Sequence, residues 1–155
     1  KMNLSKNFTL QEFTKSMTAT RLGIDNTPQG DHLRAAQELF TQVVQPVREH
    51  FGTTRINSGY RSPALNEAVG GSSRSQHCKG QAVDLECDKA DNLVVAQWIR
   101  DNLGFDQLIS EYYEENDPSS GWVHVSYVSP EENREECLTA QRVDGKTVYS
   151  LSLPE

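Results

Sequence analysis

Apolar positions along the chain change period several times, and each change marks an element. Over residues 31–51, Leu33, Ala36, Leu39, Phe40, Val43, Val44 and Val47 recur every three or four positions, which predicts an amphipathic helix. Pro46 has no amide proton and is expected to kink or divide that helix. Gly52 is its expected stop. A second helical pattern over residues 90–102 is expected to bury Leu93, Val94, Ala96, Trp98 and Ile99. Shorter helices are predicted at residues 7–13, where Thr9 and Glu12 form a capping box, and at 62–69, where Ser62 caps and Pro63 opens the first turn. Period two appears over residues 81–86, with Ala82, Asp84 and Glu86 on one face and Val83 and Leu85 on the other. It returns over 122–127, where Trp122, His124 and Ser126 oppose Val123 and Val125. Residues 54–58 and 106–111 are further strands, and 138–143 and 146–151 flank Asp144-Gly145 as a β-hairpin. Helices and strands are interspersed without strict alternation, which implies an α+β fold: an antiparallel sheet with helices packed on one side.

Composition narrows the classes of partner. The 155 residues are expected to form a single domain, and Lys1 ahead of Met2 reads as a residue added before a native start. A formal charge of −7 argues against a nonspecific grip on nucleic acid or anionic lipid. The chain has no apolar run of the roughly eighteen residues that span a bilayer. It also has no basic segment leading into an apolar one, so no signal peptide is expected. Cys78, Cys87 and Cys137 are an odd number without a C-x-x-C pair, and they are expected to be reduced, partly buried thiols.

Candidate chemistry concentrates in two of the strand regions. His77 and Asp84 flank residues 78–83, and His124 follows in the later strand. Two imidazoles and a carboxylate are the ligand set of a catalytic zinc site that keeps a fourth position open. The spacing alone is permissive, since a strand histidine more often makes a hydrogen bond. His32 and His50 lie on the long helical segment without a ligand-spaced partner and read as surface residues. Arg61, at a strand end, can grip a peptide carboxylate in a bidentate fork or form a surface salt bridge. Tyr112 and Tyr113 can stack on a substrate or anchor a loop. The acidic pairs Glu131-Glu132 and Glu135-Glu136 read as a solvated face.

Three separated segments carry a resemblance that covers nearly the whole chain. Ser58-Gly59-Tyr60-Arg61-Ser62, then Ser75-x-His77-x-x-Gly80-x-Ala82-x-Asp84, then Trp122-Val123-His124-Val125-Ser126 resemble the signature of the zinc D-Ala-D-Ala carboxypeptidase family of peptidoglycan peptidases. That family includes D-Ala-D-Ala dipeptidases and phage L-alanyl-D-glutamate endopeptidases, and shares its fold with the hedgehog signalling domain. The stretch through residues 23–28 looks like the compact phage and prophage branch. The resemblance implies one zinc ion per chain bound by His77, Asp84 and His124. It implies that Arg61 contacts a substrate carbonyl or carboxylate and that Ser75 helps hold the peptide. The implied activity is hydrolysis of an amide bond in peptidoglycan stem peptides, by a monomer with no nucleic-acid or membrane partner. Such a protein would be made in the bacterial cytoplasm and reach the cell wall at lysis or on a virion.

One position departs from the family pattern. Many members carry a catalytic glutamate three residues before the last histidine ligand, where this chain has Gly121. Glu111 is the best replacement: if strands 106–111 and 122–127 pair antiparallel with an odd register sum, it shares a face with His124. Glu114 and Glu115 are rivals in the acidic loop. Gly121 also keeps open a non-catalytic reading, a zinc-stabilised module of a phage particle that grips cell wall. A hedgehog-like domain without peptidase activity is a third.

Overall fold

In the computed structural model, which describes residues 2–155, the expected strands join one sheet. Lys1, read above as an added residue, lies outside the described residues. The sheet strands are β3 (Thr54–Ser58), β4 (Ala82–Cys87), β5 (Gln107–Glu111), β6 (Trp122–Ser126), β7 (Glu136–Val143) and β8 (Lys146–Leu151). They lie side by side in the order β3-β4-β6-β5-β7-β8. A separate small ladder joins β1 (Asn3–Ser5) to β2 (Phe8–Thr9). The helices are α1 (Leu10–Thr14), α2 (Met17–Leu22), α3 (Asp31–Leu39), α4 (Gln45–Phe51), α5 (Pro63–Ala68) and α6 (Asn92–Asn102). The fold is α+β, as expected.

Alternation fixes which face of the sheet meets the helices. Val83 and Leu85 on β4, Val123 and Val125 on β6 and Leu108 on β5 are fully buried, and they form one core with Leu39, Phe40, Val43, Val47, Val95 and Ile99. Each such side chain gains roughly 1.5–3 kcal/mol from burial. A one-residue slip would exchange this face for the polar one and drive Asp84 and His124 into the core. The register is therefore strongly specified, and with it the side of the sheet on which Asp84 and His124 stand.

One expectation is met in a particular form, and three details differ from the pattern read in the sequence. The long helix is divided, as one of the two outcomes expected of Pro46: Phe40–Val44 forms a π-helical turn in which the Gln45 N–H reaches back to Phe40 O. This wider turn lies just ahead of Pro46 and accommodates the hydrogen bond that a residue without an amide proton cannot make. The helix α2 had no apolar stripe to announce it, since only Ala19 is buried. Local caps make it instead: Ser16 accepts the Ala19 N–H, and Gly23 closes it in the left-handed conformation. In α6 the buried stripe is Asn92, Val95, Ala96 and Ile99, whereas Val94 is 49% exposed. Finally, β5 and β7 run parallel, with Gln107 beside Glu136 and Glu111 beside Ala140, while the other pairings are antiparallel. Because β6 ends beside the start of β5, residues 127–135 cross that end and β7 sets off in the direction of β5.

Candidate active site

Strand pairing brings two of the proposed donors together. Asp84 and His124 are direct partners across β4 and β6, so both side chains leave the same face. His124 Nδ1 lies 3.0 Å from Asp84 Oδ1. The third donor, His77, sits in a short 3-10 turn, Gln76–Lys79, whose N-terminus is capped by Ser75. Its Nδ1 is 2.8 Å from the Gly59 carbonyl. Gly59 is tightly held: a Cβ there would lie 2.2 Å from Phe13 O. The carbonyl can only accept, so Nδ1 carries the ring proton of a neutral His77 and Nε2 keeps a lone pair. That lone pair faces Asp84 Oδ2 at 3.6 Å.

This arrangement fits a cation. Donor atoms from His77, Asp84 and His124 all lie within 4.8 Å of one another, and His77 is only 5% exposed. Without a proton or a cation between them, an imidazole lone pair and a carboxylate oxygen at this depth repel. Burial alone would raise the Asp84 pKa, but a proton or positive charge on the side of the two imidazoles outweighs it and holds the carboxyl far below its ordinary range. A carboxylate kept ionised beside two nitrogen donors is the chemistry zinc prefers. Cys78 stands apart from the trio, with Sγ turned toward Ser72 O. All three cysteines are free thiols, with Cys87 buried.

Glu111 lies on the same face. The register pairs Ile109 with His124 and Glu111 with Trp122, which meets the odd-sum condition. Glu111 is a diagonal cross-strand neighbour of His124, a position typically about 7–8 Å away and within reach of a long side chain. Burial first, and then the charge of Asp84, raise its pKa, against the opposing pull of His124, Trp122 and His77. The Trp122 indole N–H is buried without a partner of good hydrogen-bonding geometry, yet it is close enough to favour the ionised form of Glu111. Gly121 has φ +66°, and a Cβ there would lie 2.0 Å from the Glu111 carbonyl oxygen. The position three before His124 is thus closed to any side chain in this backbone. Glu114 and Glu115 are exposed on the loop and do not line the cleft.

The donors open into a cleft of about 420 Å³ that Arg61, Ser75 and Glu111 also line. Arg61 is built into the support of His77: its N–H bonds His77 O at 3.1 Å and its Nη2 donates to Ser75 Oγ at 3.1 Å. Its Nε is buried without a partner. Ser75 Oγ also accepts the His77 N–H at 3.2 Å, so this residue holds the turn that presents His77 as well as facing the cleft. Arg61 further borders a larger groove, about 900 Å³, between α2 and the end of β3, which none of the donors line. Tyr112 and Tyr113 serve as anchors, their hydroxyls bonded to Thr147 and Asp91. His32 bonds the buried Tyr60, and His50 stacks on Trp98.

Several cleft residues were not found by reading motifs. Gln107 opens β5, Arg134 lies on the crossover into β7, and Tyr149 comes from β8. Tyr149 reaches the site through register, since Glu111 pairs with Ala140 and Ala140 with Tyr149. A signal existed only in the alternation of the hairpin, and it becomes informative only once β7 is known to lie beside β5.

Asp106, 3% exposed, ties this wall together. It accepts from the Arg134 amide at 2.9 Å, Arg134 Nε at 3.0 Å, Arg134 Nη2 at 2.8 Å and Gln76 Nε2 at 3.0 Å. Gln76 immediately precedes His77, so the carboxylate braces the donor turn against the start of β5. Burial would raise its pKa, but the Arg134 and Gln76 bonds prevail and hold it below the ordinary 3.8. Asp106→Asn is expected to cost about 1–3 kcal/mol at neutral pH, measured by denaturant unfolding. Because the folded pKa is depressed, this contribution is complete well above pH 3.8 and is lost as pH falls through the folded value. The wild type and the variant should therefore converge in stability on acidification. A gap that stays constant down to the folded pKa and below would sink the assignment.

A model of the family described as Peptidase M15 matches residues 6–126. The matched span contains the three donors with Arg61, Ser75 and Glu111, while Arg134 and Tyr149 lie beyond it. None of the curated proteins matches the chain.

Proposed function

The chain belongs to the peptidase M15 family, and on that premise we propose that it hydrolyses an amide bond in peptidoglycan stem peptides. His77, Asp84 and His124 would hold one zinc ion per chain, in keeping with the zinc dependence of peptidases in this family. Bound there, zinc supplies Lewis-acid polarisation of a carbonyl and makes water acidic enough to be used near neutral pH. Glu111 accepts a proton from the attacking water on a carboxylate oxygen and delivers it to the leaving nitrogen. Arg61 orients an oxygen of the peptide through its guanidinium. Ser75 steadies Arg61 and can donate its own hydroxyl proton to the peptide.

The observation that carries this reading is a division of labour between the two faces of the sheet. One face is buried under helices, and the other gathers three metal donors and a half-buried carboxylate in one cleft. Among the described residues no helix is long and apolar enough to cross a membrane. We place the action at the cell wall, reached at lysis or on a virion after synthesis in the bacterial cytoplasm, by a monomer acting on peptide alone.

Metal analysis together with release of free amino groups from purified cell wall tests the proposal. One zinc per chain with new amino groups is expected, and mass spectrometry of the new termini identifies the bond and separates carboxypeptidase from endopeptidase action. One zinc per chain without amine release would instead favour the non-catalytic wall-binding module.

A further inference from the structure

The chain carries a formal charge of −7, yet three guanidinium groups, those of Arg61, Arg74 and Arg134, line the donor cleft. Arg134 is held most firmly. Its Nε and Nη2 grip the two oxygens of Asp106 at 3.0 and 2.8 Å, which uses one edge of the guanidinium. Its Nη1 lies 3.8 Å from Glu136 Oε1, beyond hydrogen-bonding distance, and that oxygen already accepts from Gln107 Nε2 at 2.7 Å. The outer edge, Nη1 with the second Nη2 proton, makes no hydrogen bond among the described residues and has only the loose ion pair with Glu136, on a side chain that is 54% exposed at the cleft.

A guanidinium anchored by one edge is a preorganised receptor for a planar anion at the other, because its rotamer freedom is already spent. We propose that Arg134 reads a carboxylate on the bound peptide, so that the cleft selects a substrate with an internal acidic group in addition to the oxygen met by Arg61. The two arginines are fixed separately, Arg61 on Ser75 and Arg134 on Asp106, and so define two contact points on one ligand. This inference rests on the cleft being a peptide-binding site, as proposed above. It makes Arg134 a specificity residue without a part in bond cleavage.

The test uses the zinc-loaded full chain and two soluble stem-peptide fragments, identical except that the internal carboxylate of one is amidated. Dissociation constants from calorimetry are compared, with turnover followed in parallel. The wild type is expected to bind the carboxylate form on the order of tenfold to a hundredfold more tightly, as a charge-assisted fork should. Arg134→Gln should bring the ratio close to one, and Arg134→Lys should restore only part of it. A double variant, Asp106→Asn with Arg134→Gln, replaces the ion pair by a neutral hydrogen-bonding pair, and it should show the same lost ratio if the single variant folds poorly. Parallel weakening of both peptides with the ratio intact would make Arg134 a purely structural tie and overturn the proposal. A ratio near one in the wild type overturns it as well. If the ratio behaves as expected but neither peptide is cleaved, the peptidase reading fails while the assignment of Arg134 stands.

Discussion

Glu111→Ala is expected to slow cell-wall hydrolysis by roughly 10²–10⁴-fold, the usual contribution of a positioned general base, while zinc stays at one per chain. The two halves of that expectation have separate physical grounds. Glu111 stands outside the donor trio, so its removal leaves His77, Asp84 and His124 to hold the ion. It is also the carboxylate besides Asp84 that lines the cleft, and burial and Asp84 push its affinity for a proton upward. A carboxylate whose affinity for a proton is raised in this way is a better acceptor for a proton of the attacking water, which it can pass on within one turnover. Little stability should be lost, since the side chain is only half-buried and anchors no backbone. Glu111→Gln sharpens the result, because it keeps the shape and removes only the proton acceptor. Amine release from purified wall and metal analysis of the same preparations measure both quantities. Activity within about threefold of wild type in either variant would move the base elsewhere, given the size of the effect expected of such a group.

The legible parts of this site were those that depend on local period. Asp84 and His124 stand on strands whose alternation is unbroken, and alternation on a half-buried sheet sets the facing of every residue. Glu111 was legible one step further on, because an antiparallel pair allows only two choices of face. The π-helical turn before Pro46 had a visible cause in the proline, although its form did not follow from the sequence. What was hidden depended on the order of strands. The crossover of residues 127–135 was compatible with several positions for β7, and only its parallel course beside β5 brings Arg134 and Tyr149 to the cleft. Asp106 was equally opaque: the sequence marks it only as the first residue of the strand 106–111, and its burial follows from partners that arrive from residues 76 and 134.

Gly121→Glu, which restores the residue common in the family, is expected to destabilise the protein by roughly 3–5 kcal/mol and to leave Glu111→Ala unrescued. Two costs add at this position. A side-chain-bearing residue is strained at φ +66°, and its Cβ would lie 2.0 Å from the Glu111 carbonyl oxygen, a backbone atom that cannot swing aside. Relief requires movement of the turn from β5 into the loop, and that turn includes Tyr112, itself at φ +58°. The strand end that would have to shift is the one that presents Glu111. A glutamate at position 121 and a correctly placed Glu111 therefore exclude each other in this backbone. Gly121 and Glu111 are then two sides of one local geometry, in which the carboxylate beside the donors stands on the strand paired with β6. Denaturant unfolding of Gly121→Ala and Gly121→Glu tests this directly. Gly121→Ala should already incur most of the loss, because the clash begins at Cβ. If Gly121→Glu is as stable as wild type and rescues turnover in Glu111→Ala, the backbone can accommodate a carboxylate at either position, and the two do not exclude each other.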